Sequence, residues 1–123
     1  SEGAAEGTRV TGSALLAHAD LAPNDPIYDV TKTYVEAYEG AFKESASNFG
    51  GYAHDALMIA VAALKKAGST DKEKVRNAIE SLLAFPGVTG VYSFSPTDHL
   101  GLTSEALRVL EVRNGKYRLV KDR

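Results

Sequence analysis

Between residues 48 and 68 the chain reads NFGGYAHDALMIAVAALKKAG, and past its first turn this run is apolar almost all the way round. Ala53, Ala56, Leu57, Ala60, Val61 and Leu64 follow the i, i+3, i+4, i+7 spacing of one helical face. Met58, Ile59, Ala62 and Ala63 deny the other face its usual polar residues. The pattern predicts a helix buried against something large. Lys65 and Lys66 fall in its last turn, where cations suit the negative end of the helix dipole, and Gly68 supplies a left-handed cap.

The flanking sequence fills in the other elements. A short extended segment over 8–16 is followed by AHADLAPNDP, whose prolines, Asn24 and Asp25 read as a surface loop. Asp25 as N-cap and Pro26 at the first helical position open a first helix with the stripe Ile27, Val30, Tyr34, Tyr38 and Ala41, flanked by Val35 and Phe42. Tyr28, Tyr34, Tyr38 and Phe42 sit at helical spacing, as core residues do. A third helix is expected to start from a capping box of Thr70 with Glu73, to bury Val75, Ala78, Ile79 and Leu82, and to end at Pro86. Val91, Tyr92 and Phe94 then form a short strand bounded by turns. Aliphatic and β-branched residues on both sides of Asn114-Gly115 predict a closing antiparallel hairpin over 106–120. There is no internal repeat or low-complexity tract, and the class is α/β.

Composition narrows what such a chain can do. A hydrophobic content of 44% with 24% charged residues is ordinary for a globular domain. The longest apolar run, 56–64, is far short of the roughly 20 residues that cross a bilayer, so no direct membrane insertion is expected. Fourteen Lys and Arg against sixteen Asp and Glu leave a net charge of −2, no footprint for nucleic acid or anionic lipid. The absence of cysteine removes disulfides, thiolate metal sites and thiol catalysis together. His18 with Asp20, and Asp98 with His99, each set an imidazole beside a carboxylate. Both pairs lie in turn-forming loops without metal-ligand spacing, and no serine or glutamate stands in a nucleophile or general-base context. No enzyme, metal or cofactor is expected. Residues 1–7 are small and acidic, without the parts of a secretion signal, so an exported protein would already have lost it.

The order of these elements resembles the C-terminal third of a type I periplasmic solute-binding protein, the branched-chain amino-acid binding family of ABC transporters. The residues that carry the resemblance are EGTRVTG as a crossover strand, LAPNDP before a helix ending in AYEGAF, NFGGYAHDALMIAVAALKKAGS as the aromatic-led helix, DKEKVRNAIESLLAFPGVTGVYSFSPTDHLG as the next helix and its glycine-bounded strand, and LRVLEVRNGKYRLV as the closing hairpin. The resemblance covers nearly the whole chain. One departure is His54-Asp55-Ala56, where the family often has Tyr or Trp before the Asp. The larger departure is length, because full members have two α/β lobes joined by three crossing strands.

The resemblance therefore implies a partial fold: crossover strand and loop over 1–22, a helical contribution to one lobe over 23–94, and return strands over 95–123. It would be completed by another chain, by a swapped copy of itself, or by the missing N-terminal part. The implied function is capture of a small organic solute, an amino acid or an aromatic or other organic carboxylate, for delivery to an ABC permease from the periplasm. A ligand-sensing lobe of a receptor or regulator is the alternative with the same fold. Candidate ligand-binding residues are Phe49, Gly50, Gly51, Tyr52 and His54, which open the buried helix where family members face the interlobe cleft. Glycines let a ligand approach the backbone, a helix N-terminus attracts carboxylates, and an aromatic supplies an apolar wall. The alternatives stay open: Phe49 as a hydrophobic staple, the glycines as mere loop formers, His54 in a structural hydrogen bond. Asp55 reads as a structural carboxylate near the helix N-terminus rather than a catalytic base.

Overall fold

The computed structural model describes residues 3–120, so the outermost residues of the expected 1–22 and 95–123 segments, at 1–2 and 121–123, lie outside the described residues. A three-stranded antiparallel sheet is ordered β1 (Arg9–Gly12), β4 (Arg108–Arg113), β5 (Lys116–Leu119), with Arg9 opposite Glu111 and Gly12 opposite Arg108. The expected hairpin is present. Asn114 and Gly115 both take positive φ, 54° and 71°, which gives a two-residue connection the twist its strands need. The Glu6 carboxylate accepts from the Asn114 amide at 2.8 Å and from the Gly115 amide at 3.4 Å, fixing that turn from the N-terminal side.

The extended start of the chain is shorter than expected. After Gly12 it tightens into a 3-10 segment, Ala14–Asp20, capped by the Ser13 hydroxyl accepting from the Leu15 amide. Three α-helices follow: α1 (Tyr28–Phe42), α2 (Asn48–Ala67) and α3 (Lys72–Glu80). Asp25 is not the N-cap of α1. Its carboxylate accepts from the Ile27 amide in a turn, and the helix starts at Tyr28, because Pro26 belongs to that turn rather than to the first helical position. In α3 the cap is Asp71, which accepts from the Lys74 amide at 3.0 Å, while Ser69 accepts from the Asp71 amide. A carboxylate one residue on outcompetes the expected Thr70 hydroxyl. This helix also ends six residues before Pro86, since Phe85–Pro86 is β2, paired with β3 (Val91–Tyr92). Gly68 closes α2 in the left-handed conformation with its amide on the Leu64 carbonyl, as its sequence predicts.

Two small apolar clusters hold these elements. Ala14, Leu21 and Ile27 pack with Tyr28, Val30, Val91 and Leu119. Leu15, Val35 and Val88 pack with Val30, Tyr34 and Ala46. The face that α2 buries corrects its sequence pattern: the buried residues are Gly51, Asp55 and Ala63, whereas Ala53, Ala56, Leu57 and Leu64 of the predicted core stripe are exposed. Leu57 keeps 62% of its surface open. Phe42 at the end of the α1 stripe is exposed too. Periodicity located the apolar stripe correctly, but the described residues cover it only in part: Ala60 and Val61 are half-buried and Leu64 borders Val75 and Ile79 of α3.

Candidate functional site

The N-terminus of α2 carries all five candidate residues. Ser47 caps it, its hydroxyl accepting from the Gly50 amide at 3.2 Å. From there the helix sends its first two turns in three directions. Phe49 and Tyr52, three residues apart, face outward, with Phe49 85% exposed. It is not a staple, because a staple would pack its ring. Gly50 and His54 face α1. A side chain at Gly50 would meet the Tyr34 hydroxyl at 2.9 Å, and the His54 ring lies 4.6 Å from the Tyr34 ring. Gly51 faces inward, where a β-carbon would come within 2.5 Å of Leu15 and 2.9 Å of Thr89. Gly51 thus lets α2 approach the Leu15 and Thr89 side chains. Phe49 and Tyr52 come together on one open surface, and the other three do not join them.

Asp55 is the best-connected side chain of the region, at 1% exposure. One oxygen accepts from the Val88 amide at 2.7 Å; the other accepts from the Thr89 amide at 2.9 Å and the Thr89 hydroxyl at 2.6 Å. The Tyr92 hydroxyl adds a longer bond at 3.3 Å and lies 2.8 Å from the Thr89 hydroxyl. A buried carboxylate requires such partners, and here they come from the loop 87–90 and β3. Asp55 is structural, as its sequence reading has it, but it works by anchoring that loop rather than by opposing the helix dipole. Burial is the main cause that raises the Tyr92 phenol above its ordinary range; the Thr89 hydrogen bond opposes it and the Asp55 charge adds to it. The Tyr34 phenol is raised for the same leading reason, with Tyr38 and Asp55 adding to it.

One signal could have found this network. Asp55 has no Lys or Arg at i±3 or i±4 in an otherwise apolar helix, so its partners had to come from elsewhere in the chain. His54 is adjacent, yet its Nδ1 stands 3.6 Å from Asp55 Oδ1, too far for a hydrogen bond. That nitrogen is buried and makes none, although the side chain is 28% exposed. Tyr34, Tyr38 and Phe42 form a ladder of rings 5.8 and 4.9 Å apart, and with His54 and Met58 they line an open groove of about 660 Å³ between α1 and α2.

The two imidazole-carboxylate pairs of the loops are not reacting constellations. Asp98 accepts from the Leu100 and Gly101 amides, and His99 turns to Glu80 at 3.1 Å. Asp20 accepts from Arg118. Among the described residues no group of three His, Cys, Asp or Glu is placed to hold a metal ion, and no helix is long and apolar enough to cross a membrane. What the helix N-terminus presents is an open aromatic surface of Phe49 and Tyr52.

Comparison with known proteins agrees with that reading of the fold. The family model described as periplasmic binding protein matches residues 2–116. No curated protein matches. Among solved structures, an extracellular ligand-binding receptor from Rhodopseudomonas palustris HaA2 is 28% identical with a TM-score of 0.84, over 95% of this chain and 35% of that one. The periplasmic binding protein type 1 of Bordetella pertussis Tohama I is 30% identical with a TM-score of 0.67, over 94% of this chain and 33% of that one. Leucine binding protein LivK of Thermotoga maritima MSB8, at 24% identity, shares the fold with a TM-score of 0.70, over 97% of this chain and 31% of that one. The chain spans about a third of the length of each, and its α/β architecture is a part of their fold. With the family model fitting all but the ends of the chain, this chain belongs to the periplasmic binding protein family, type I.

Proposed function

We propose that this chain is part of the substrate-binding component of an ABC transporter, working in the periplasm. Its solute is a small organic molecule, an amino acid or an aromatic or other organic carboxylate, held between two lobes and passed to the permease without chemical change. The observation that carries the reading is the Phe49 and Tyr52 pair, laid open at the N-terminus of α2 in a chain that fits the family along nearly its whole length. On this reading Phe49 and Tyr52 are an apolar wall, and the neighbouring helix N-terminus favours a carboxylate. Gly50 keeps the backbone approachable, Gly51 seats the helix, and His54 offers a hydrogen-bonding edge. Segments 1–22 and 95–123 carry the chain between lobes, and 23–94 builds part of one. The bare stripe of α2 is covered by the remaining part of a full receptor or, in this chain alone, by a second copy.

The test is solute binding by a full-length receptor that contains this segment. A panel of amino acids and organic carboxylates is screened by ligand-dependent melting, and the best solute is titrated calorimetrically. Phe49→Ala and Tyr52→Ala should each weaken binding by roughly tenfold, the equivalent of about 1.4 kcal/mol. Unchanged affinity in both variants would remove the α2 N-terminus from the site.

A further inference from the structure

We infer that Asp20 and Asp25 are positioning residues that clamp the sheet onto the helical body and set the angle between the two. The described chain consists of two bodies. One is the sheet of β1, β4 and β5 with the turn that precedes it; the other runs from the 3-10 segment Ala14–Asp20 through the three helices to the residues before β4. The backbone passes between them beside Gly12 and again before Arg108. The sheet meets the rest mainly through the 3-10 segment rather than through α1, α2 or α3.

The contacts across this joint are of two kinds. Leu119 packs on Ala14, Leu21 and Ile27, and the Leu110 side chain lies over Gly12 close to Leu16. Apolar burial of this sort is non-directional, so it holds the bodies together without fixing an angle. The hydrogen bonds found across the joint among the described residues all end on Asp20 or Asp25. Asp20 accepts from Arg118 Nε at 2.8 Å, from Arg118 Nη2 at 2.5 Å and from the Leu119 amide at 3.0 Å. Asp25 accepts from Arg108 Nη2 at 3.2 Å while its other oxygen holds the Ile27 amide. In both cases the carboxylate belongs to the helical body and the guanidinium to the sheet. Both carboxylates are only 13% exposed. A forked guanidinium with a backbone amide as third donor constrains direction in a way a single surface ion pair does not. The Asp20 hydrogen bond also raises the Arg118 pKa above its ordinary value.

The clamp itself stands on this geometry. Its consequence rests on the solute-binding reading: fixing the angle between the bodies biases how open the solute site stands, and a ligand shifts that equilibrium only by its differential affinity for the two states.

The chain has no cysteine, so the exposed Lys74 on α3 and Lys116 on β5 can be replaced by Cys and spin-labelled without background. The labelled chain is diluted into an excess of unlabelled chain, so that only distances within one molecule are read. The distance distribution is compared in low salt and in about 1 M salt, where the screening length falls to roughly 3 Å. Salt should broaden the wild-type distribution. A chain with Asp20→Asn and Asp25→Asn, which keeps the side-chain shape but removes the charge and turns one acceptor oxygen of each pair into an NH₂, should be broad already in low salt and insensitive to more. Its helical circular dichroism should match the wild type. A narrow, salt-independent distribution in both chains would overturn the clamp. Should the double variant lose its helical signal, the wild-type salt response decides alone: broadening supports the clamp and its absence overturns it. No solute enters this test, so a receptor that binds nothing would sink the solute reading and leave the clamp standing.

Discussion

The two long faces of α2 reverse the usual arrangement of a surface helix. Its inward face carries a carboxylate, Asp55, and its outward face carries Phe49, Leu57 and Leu64. A helix ordinarily buries its apolar stripe and wets its charges. The inward face tolerates a charge because both carboxylate oxygens are matched by donors from the loop 87–90 and β3. The outward face is only partly matched among the described residues: Leu64 stands beside Val75 and Ile79 of α3, while Phe49 and Leu57 are open. One face is therefore finished within the described residues and the other is left largely open.

The strongest test of that contrast acts on the finished face. Asp55→Ala leaves the Val88 and Thr89 amides and two hydroxyls without their acceptor, and should cost about 3 kcal/mol or more in urea unfolding. Asp55→Asn should cost nearly as much, because an amide NH₂ would confront donors. A loss below about 1 kcal/mol, the ordinary net value of a single hydrogen bond, would mean that the loop does not depend on Asp55. Next in size is Gly51→Ala. The added methyl would overlap Leu15 and Thr89, an overpacking expected to cost roughly 1 to 3 kcal/mol. Gly50→Ala, which meets the Tyr34 hydroxyl at 2.9 Å and the Ser47 hydroxyl at 3.5 Å, should cost less.

These residues also mark how far the sequence could be read. The Asn114-Gly115 hairpin and the Gly68 cap follow from local chemistry, since turn and cap preferences act over a few residues. The α2 stripe was legible as a stripe but not as exposed, because periodicity says where apolar residues lie and not whether the chain holds a surface to meet them. The Asp71 cap and the early end of α3 were lost to close competition between neighbouring residues, Thr70 against Asp71 and helix against the β2 pairing. Phe49, Gly50, Gly51, Tyr52 and His54 lie on one helix start, yet their separate directions needed the packing of Tyr34 and Leu15. The Asp55 network joins residues 33 to 37 positions apart, beyond the reach of any local rule.

A smaller effect comes from titration. The Tyr92 phenol is raised in the folded state, so the folded chain keeps that proton after the unfolded chain has begun to lose it. Stability should therefore be intact below about pH 10, the ordinary tyrosine value, and fall as pH rises through it. Tyr92→Phe should cost about 1 kcal/mol at neutral pH and flatten part of that alkaline slope, with Tyr34 supplying another part. At the acid end the sign is opposite. Hydrogen bonds from Arg9 first, then Arg113, lower the Glu111 pKa, so its contribution is present above the ordinary glutamate value of about 4.3 and lost as pH falls below it. Glu111→Gln should flatten the acid limb of melting temperature against pH and leave the alkaline limb alone.

The smallest expected change in stability belongs to the outward face. Leu57→Asp places a charge where the side chain is 62% exposed, so unfolding free energy should move by no more than about 0.5 kcal/mol, as at other exposed positions. Association should respond far more. On the proposed reading, in which a second copy covers the stripe, light scattering should read a mass above that of the single 13.1 kDa chain for the wild type and near it for the variant. A loss of about 2 kcal/mol or more, with no change in mass, would be the signature of a buried leucine. It would mean that the stripe already has its cover within this chain and that the contrast between the two faces of α2 is one of residue type alone.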